Sequence, residues 1–135
     1  MVRDLLDAET FARLNEVRDF LASHYAERLT LPQIAGLCAY SPYHFQRLFT
    51  RAFGESPHEF VTRCRVEAAQ RMLRLGAESV TDICFEVGYE SLGSFSYAFA
   101  RRLGCPPTEF RRVFAAPDLW ALKCTPACFR AFHAA

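Results

Sequence analysis

Apolar residues recur along the chain at helical spacing, in short runs set off by capping residues, glycines and prolines. Over residues 10–28, Leu14, Val17, Leu21 and Tyr25 keep that spacing, with Phe11 and Phe20 beside them and Thr10 at the N-cap position. Thr30 opens a second helix with Gln33 three residues on, the pattern of a capping box, and Ile34, Leu37 and Cys38 form its inner face. Ala39-Tyr40 turns the chain into a third helix, capped by Ser41 with Pro42 at the first helical position. Phe45, Leu48 and Phe49 face a core from this helix, while Tyr43, Gln46, Arg47 and Thr50 point away. Gly54 fits a left-handed C-cap. Ser56, Pro57 and Glu59 start a longer helix to about Leu75, where Gly76 stops it. Its apolar stripe is Val61, Cys64, Ala68, Met72 and Leu75, and Glu59–Arg63 and Glu67–Arg71 are supportive pairs. At about 19 residues it spans roughly 28 Å. Ser79 and Asp82 cap a short helix with Ile83, Cys84 and Val87 inside, and Gly88-Tyr89 turns into a helix ending at Leu103-Gly104. Pro106-Pro107 leads to a closing helix through Phe110 to Phe114. The pattern predicts an all-α fold of about seven helices.

The stretch Ser41–Phe49 occurs twice. Ser91-Leu92-Gly93-Ser94-Phe95-Ser96-Tyr97-Ala98-Phe99 follows the same plan fifty positions later. Phe45 matches Phe95, Phe49 matches Phe99, Gly54 matches Gly104, Pro57 matches Pro107 and Phe60 matches Phe110. Upstream the offset is 49, with Ile34 matching Ile83 and Tyr40 matching Tyr89, so one inserted residue near Glu90 absorbs the change. A fixed offset over this many positions marks an internal repeat. Two short helices, a brief turn and a capped, exposed second helix describe a helix-turn-helix. The expected organisation is a first lobe over 1–55, a linker helix over 56–76, a second lobe over 77–114 and an apolar tail over 115–135.

A net charge of only +1 does not by itself announce a nucleic-acid partner, but its distribution does change the picture. Residues 1–39 carry net −2, 40–75 net +3, 76–94 net −4 and 95–114 net +3, so positive charge follows the two repeated helices and what comes after them. No run of 18 apolar residues suggests a membrane span, and the acidic start MVRDLLDAE is unlike a signal peptide. A cytoplasmic, nucleoid-associated location is expected. The six cysteines (38, 64, 84, 105, 124 and 128) have no framework spacing and read as reduced thiols.

Residues 30–113 resemble the DNA-binding domain of the AraC/XylS family of bacterial transcription regulators. The first unit carries Leu31-Pro32-Gln33-Ile34-Ala35, the run Tyr40–Phe49, Phe53-Gly54, Pro57 and Phe60. Arg65-Val66-Glu67, Ala69 and Met72-Leu73 resemble the family's connecting helix. The second unit carries Val80–Cys84, Val87-Gly88-Tyr89, Ser91, Phe95-Ser96, Phe99, Gly104, Pro106-Pro107 and Phe110-Arg111. The resemblance implies two helix-turn-helix subdomains joined by a long linker helix, entering two successive major-groove segments on one face of double-stranded DNA. Without the usual fused effector domain, the chain is similar to the stand-alone branch of the family. It also implies base contacts from Tyr43, Gln46 and Arg47 in the first lobe and from Leu92, Gly93, Ser96 and Tyr97 in the second. Phosphate contacts are expected from Ser41, Arg51, Arg63, Arg65, Ser91, Ser94, Arg101 and Arg102. The second base-facing set departs from the family pattern at Leu92, Gly93 and Tyr97, so base reading should concentrate in the first lobe.

Each position has a plainer reading. Gln46 and Arg47 fit a solvated helix face, Tyr43 fits packing within its own lobe, and His44 fits a surface or structural histidine. Arg63, Arg65, Arg71 and Arg74 fit helix solubility as well as phosphate contact. Cys124, Cys128 and His133 offer three ligands where a tetrahedral metal site needs four, so no metal and no cofactor is expected. Scattered histidines and the lack of a Gly-rich phosphate loop argue against an enzyme. The expected function is a sequence-specific transcription regulator, an activator that binds DNA as a monomer and touches RNA polymerase. The alternative is a protein-interaction module that modulates a related regulator and binds DNA weakly.

Overall fold

The structure, a computed structural model, describes residues 6–76 and 78–115. They form seven helices and no strand: α1 (Ala8–Ser23), α2 (Leu31–Gly36), α3 (Pro42–Phe53), α4 (Pro57–Leu75), α5 (Val80–Glu86), α6 (Leu92–Leu103) and α7 (Pro107–Ala115). The all-α, seven-helix expectation holds. The chain divides into two compact units, with the division inside α4 between Cys64 and Arg65. The apolar tail and its Cys124, Cys128 and His133 lie outside the described residues.

Helix starts follow the capping chemistry. The Thr30 hydroxyl accepts from Gln33 N–H at 3.3 Å and the Gln33 amide oxygen accepts from Thr30 N–H at 2.8 Å, which closes the capping box. Ser56 and Glu59 make the same reciprocal pair at 3.1 Å each. Ser41, Ser79 and Ser91 each accept from the backbone N–H three residues on. Gly54 and Gly104 end α3 and α6 in the left-handed region, at φ 76° and 82°, where a glycine carries no Cβ penalty.

Three expectations need correction. The first helix begins at Ala8, not at Thr10, and its cap is Asp7. The Asp7 carboxylate accepts from both the backbone N–H and the hydroxyl of Thr10, each at 2.8 Å, which holds its pKa below the usual aspartate value. A carboxylate is the better acceptor for an orphan N–H, so the threonine hydroxyl is used as a donor instead. The helix also ends early, at Ser23, where the N–H of His24 bonds Phe20 and Leu21 carbonyls and its ring contacts the Phe20 carbonyl at 2.8 Å. Leu37, expected inside, is exposed. In α4 the buried residues are Pro57, Phe60, Val66, Ala68, Ala69, Gln70 and Leu73, while Leu75 is 82% exposed. Apolar residues flank Ala68 and Ala69 on both sides, so two overlapping stripes fit the 3.6-residue period and the pattern weights them equally.

In the first unit, Leu14, Val17 and Leu21 of α1 pack with Ile34, Ala35 and Cys38, with Phe45 and Phe49 of α3 and with Phe60 at the start of α4. Both α3 rings are fully buried. Phe45 and Phe49 centroids lie 5.6 Å apart, and Phe49 meets Phe60 edge-on at 5.9 Å. The second unit repeats these ring contacts. Phe95 and Phe99 lie 5.8 Å apart, and Phe99 meets Phe110 edge-on at 5.4 Å. Edge-to-face contacts add to the area such rings bury.

The turns before α3 and α6 are built alike: Tyr40 N–H bonds the Ala35 carbonyl at 3.2 Å, and Tyr89 N–H bonds the Cys84 carbonyl at 3.0 Å. Each turn passes through positive φ, at Ala39 (59°) in the first unit and Gly88 (103°) in the second. Alanine is strained in that region and glycine is not. Ala39→Gly should therefore stabilise the first unit by about 0.5–1 kcal/mol, and Gly88→Ala should destabilise the second by about 1 kcal/mol or more. Urea denaturation followed by circular dichroism checks both. A destabilised Ala39→Gly variant would contradict the strain.

Candidate nucleic-acid interface

With Phe45 and Phe49 inside, the turn of the helix sends Tyr43, Gln46, Arg47 and Thr50 outward from α3. Tyr43, His44, Gln46, Arg47, Leu48, Thr50 and Arg51 line one open surface. Tyr43 is 72% exposed, which excludes packing in its own lobe. The Arg47 guanidinium carbon lies 5.6 Å from the Tyr43 ring centroid, one turn away on the same helix. Thr50, expected on the outward side, belongs to this face; its hydroxyl donates to the Gln46 carbonyl at 2.8 Å. His44 is exposed and its ring meets Tyr40 edge-on at 5.2 Å. The three base-reading candidates of the first lobe therefore stand together on one exposed face. Ser41 sits at its N-terminal end with the hydroxyl engaged as the cap.

The matching face of α6 is built differently. Leu92 is 44% exposed and Tyr97 69% exposed, while Ser96 is half-buried. Gly93 stands where the first unit has Tyr43, and Tyr97 stands where it has Arg47. The Ser91 hydroxyl accepts from Ser94 N–H at 3.2 Å and the two hydroxyls are 2.9 Å apart. Arg101 and Arg102 are exposed in the last turn, as Arg51 is in α3.

Two arginines expected at phosphates also meet partners within their own units. Arg63 is half-buried and reaches back to Glu55, with Nη2–Oε1 at 2.6 Å and Nε–Oε1 at 3.2 Å, and its guanidinium carbon lies 5.1 Å from the Phe60 centroid. The Glu55 partnership crosses a helix start, eight residues back, where i,i+4 spacing offers no hint of it. Arg65 is half-buried with its guanidinium 5.2 Å from the Tyr89 ring. Arg74 lies over Phe114 at 5.2 Å, and Arg111 donates through Nη2 to the Glu78 carbonyl.

Cys38, Cys64, Cys84 and Cys105 form no disulfide, and burial pushes Cys38 and Cys84 above the usual thiol range. Among the described residues no group of three or more His, Cys, Asp or Glu is placed to hold a metal ion, and no helix is long and apolar enough to cross a membrane.

Two similarly built helix-turn-helix units, each presenting the second helix outward, define a DNA-binding class of protein. A family described as "Helix-turn-helix domain" matches residues 34–113. The chain is 34% identical over 106 residues to the transcriptional activator RhaS of Escherichia fergusonii, covering 78% of this chain and 38% of that protein. It is 29% identical over 112 residues to the regulator YobQ of Bacillus subtilis, covering 83% of this chain and 45% of that protein. The chain thus spans less than half the length of these relatives. Among solved structures it resembles the DNA-binding domain of AdpA, crystallised with a target DNA, at 27% identity and a TM-score of 0.72, covering 83% of this chain and 98% of that one. The chain belongs to the AraC family of helix-turn-helix transcription regulators.

The Glu55–Arg63 pair ties the start of α4 to its second turn. Arg63→Ala and Glu55→Ala should each cost about 1–2 kcal/mol, as charge-assisted bonds at half-buried sites do. The double variant should cost clearly less than the two together. A double-mutant cycle by chemical denaturation checks this, and strict additivity would show the two side chains to be uncoupled.

Proposed function

We propose that the chain binds double-stranded DNA as a sequence-specific transcription regulator, with α3 and α6 entering successive major-groove segments. The observation that carries this reading is the outward face of α3. Tyr43, Gln46 and Arg47 stand together there on a helix seated by two buried rings. Arginine can bond guanine O6 and N7 with its fork, and glutamine can bond adenine N6 and N7. We assign phosphate contact to Arg51, Arg101 and Arg102, with Ser41, Ser91 and Ser94 at the helix starts. Arg63 and Arg65 serve the fold of their own units. On this proposal the chain does no catalysis, works in the cytoplasm and acts as an activator that contacts RNA polymerase while bound as a monomer. The half-site centres then lie about one helical turn apart, ~34 Å.

The two faces differ in what they can read. Gln46 and Arg47 each offer two directed hydrogen bonds. Leu92 offers contact to a thymine methyl, and the Ser96 and Tyr97 hydroxyls reach one acceptor each. The first half-site therefore carries most base specificity, and the second contributes salt-dependent affinity and sensitivity to DNA shape. Selecting sites from random DNA and scanning every base of the preferred site tests this. Mismatches opposite α3 should cost about 1–3 kcal/mol each. Equal or larger penalties opposite α6 would overturn the assignment.

Arg47→Ala should cost about 1–3 kcal/mol and relax preference at one base pair. Weakening by the same factor on all sequences would reduce Arg47 to a phosphate contact. Arg51→Ala and Arg101→Ala should leave base preference intact and each flatten the plot of log affinity against log salt by about 0.9. An unchanged slope would remove the residue from the phosphate set.

A further inference from the structure

The outward face of α3 holds a feature that base reading alone does not require. The Arg47 guanidinium lies over the Tyr43 ring, 5.6 Å from its centroid. Other arginines over rings in this chain meet ones that serve the cores: Arg63 over Phe60, Arg65 over Tyr89, Arg74 over Phe114 and Arg18 over Phe53, where the rings are buried or half-buried. The Tyr43 ring is 72% exposed and adds little to any core. Its position is one helical turn before Arg47, where side chains three or four residues apart meet.

We infer that Tyr43 is a positioning residue for Arg47: its ring holds the guanidinium in a restricted set of rotamers over α3, and this sharpens discrimination at the base pair Arg47 reads. The inference rests on the DNA-binding reading above. A long arginine side chain free in water must be ordered when it forms a forked contact, and that ordering subtracts from affinity. A ring face that already holds the cation reduces the loss. The guanidinium is planar and weakly hydrated, so it can lie on the ring with its edge N–H groups still available to a base. Lysine in its place would lack both the plane and the fork.

The repeat supports this pairing as a unit. At the positions matching Tyr43 and Arg47, α6 has Gly93 and Tyr97. The ring at the first position and the cation at the second are both absent. Gly93 has ordinary helical backbone and open space where a Cβ would stand, so the fold does not forbid a side chain there. The lobe without the arginine at this position also lacks the aromatic one turn before it.

The experiment is a double-mutant cycle on discrimination rather than on affinity. The probes are a duplex carrying the site the wild-type chain selects from random DNA, and a second duplex changed only at the base pair where Arg47→Ala relaxes preference most, to a substitution that Arg47→Ala still discriminates. The affinity ratio between them is measured for wild type, Tyr43→Leu, Tyr43→Phe, Arg47→Ala and Tyr43→Leu/Arg47→Ala. Tyr43→Leu should lower the ratio about two- to fivefold, the range expected of an exposed cation–π contact. Tyr43→Phe should restore it, because the ring and not the hydroxyl holds the cation. In the Arg47→Ala background, Tyr43→Leu should change the ratio no further.

Thermal unfolding should be the same for wild type and both Tyr43 variants, since the side chain is largely exposed. An equal loss from Tyr43→Leu with and without Arg47 would show an independent contact and overturn the inference. So would a Tyr43→Phe variant as poor as Tyr43→Leu, which would point to a hydroxyl contact. A wild-type chain with no preferred site would overturn the DNA-reading proposal and this inference together, whereas a clear preference with no coupling overturns this inference alone.

Discussion

The contact on which each unit depends is one aromatic edge meeting one aromatic face. In the first unit it joins Phe49 of α3 to Phe60 of α4, and in the second it joins Phe99 of α6 to Phe110 of α7. A helix of 12 residues is marginal in isolation, so α3 and α6 exist because their buried rings are held from below. Phe45 and Phe95, four residues earlier, fix the rotation of each helix about its axis. With two rings on one face, the residues between them have a single direction left. Gln46 and Arg47, or Ser96 and Tyr97, point outward because Phe45 and Phe49, or Phe95 and Phe99, cannot. Gly54 and Gly104 bond back to the Thr50 and Ala100 carbonyls at 2.8 Å, and then the chain turns so that the next proline-led helix presents its ring. The outward face is the consequence of the inward one.

That dependence explains how much of the molecule was legible in the sequence. Rings at a spacing of four, followed by a glycine and a proline-led helix with another ring, appear twice at a fixed offset, and both copies fold to closely matching contacts. The serine and threonine caps also read directly, because each satisfies a backbone N–H through a local bond that no distant residue alters. Legibility fell where two local solutions compete. Asp7 and Thr10 are both good caps, and only the geometry decides that the carboxylate accepts and the hydroxyl donates. In α4 the periodic pattern allowed two stripes, and packing chose the one through Val66, Ala69 and Leu73. The Arg63–Glu55 bond was illegible for another reason. It closes across a helix start at a separation no periodic template contains.

The two outward faces show what a repeat preserves and what it releases. Selection for folding acts on the inward positions, and there the units agree at Ile34 with Ile83, Tyr40 with Tyr89 and Phe60 with Phe110, and keep small or apolar residues where they differ, as Ala35 with Cys84 and Cys38 with Val87. The outward positions carry no packing requirement, as the exposure of Tyr43 and Tyr97 shows. They are therefore free to diverge, and they do. One copy presents amide and guanidinium groups, the other leucine, glycine and hydroxyls. The scaffold that makes the faces equivalent in position leaves their chemistry independent.

Charge follows the same logic of placement over composition. A chain of net charge +1 is a poor polyanion ligand by its sum. Several of its arginines meet partners within their own unit. Arg13 pairs with Glu9 at 2.7 Å and Arg63 with Glu55 at 2.6 Å, Arg111 bonds the Glu78 carbonyl, and Arg18, Arg65 and Arg74 lie over aromatic rings. The acids at 78, 82, 86 and 90 fall in and around α5, and a side-chain hydrogen bond with Glu86, followed by the nearby charges of Glu86 and Asp82, holds Glu78 above the ordinary carboxylate range. Negative charge is thus crowded onto a segment outside the repeated recognition helices. Arg47 and Arg51 on α3 and Arg101 and Arg102 on α6 stand exposed, and neither helix contains a single acid. The sign of charge a ligand meets on those helices is set by their exposed arginines and not by the total. A nearly neutral protein can in this way present two positive faces, while other arginines meet rings and carboxylates within their own units.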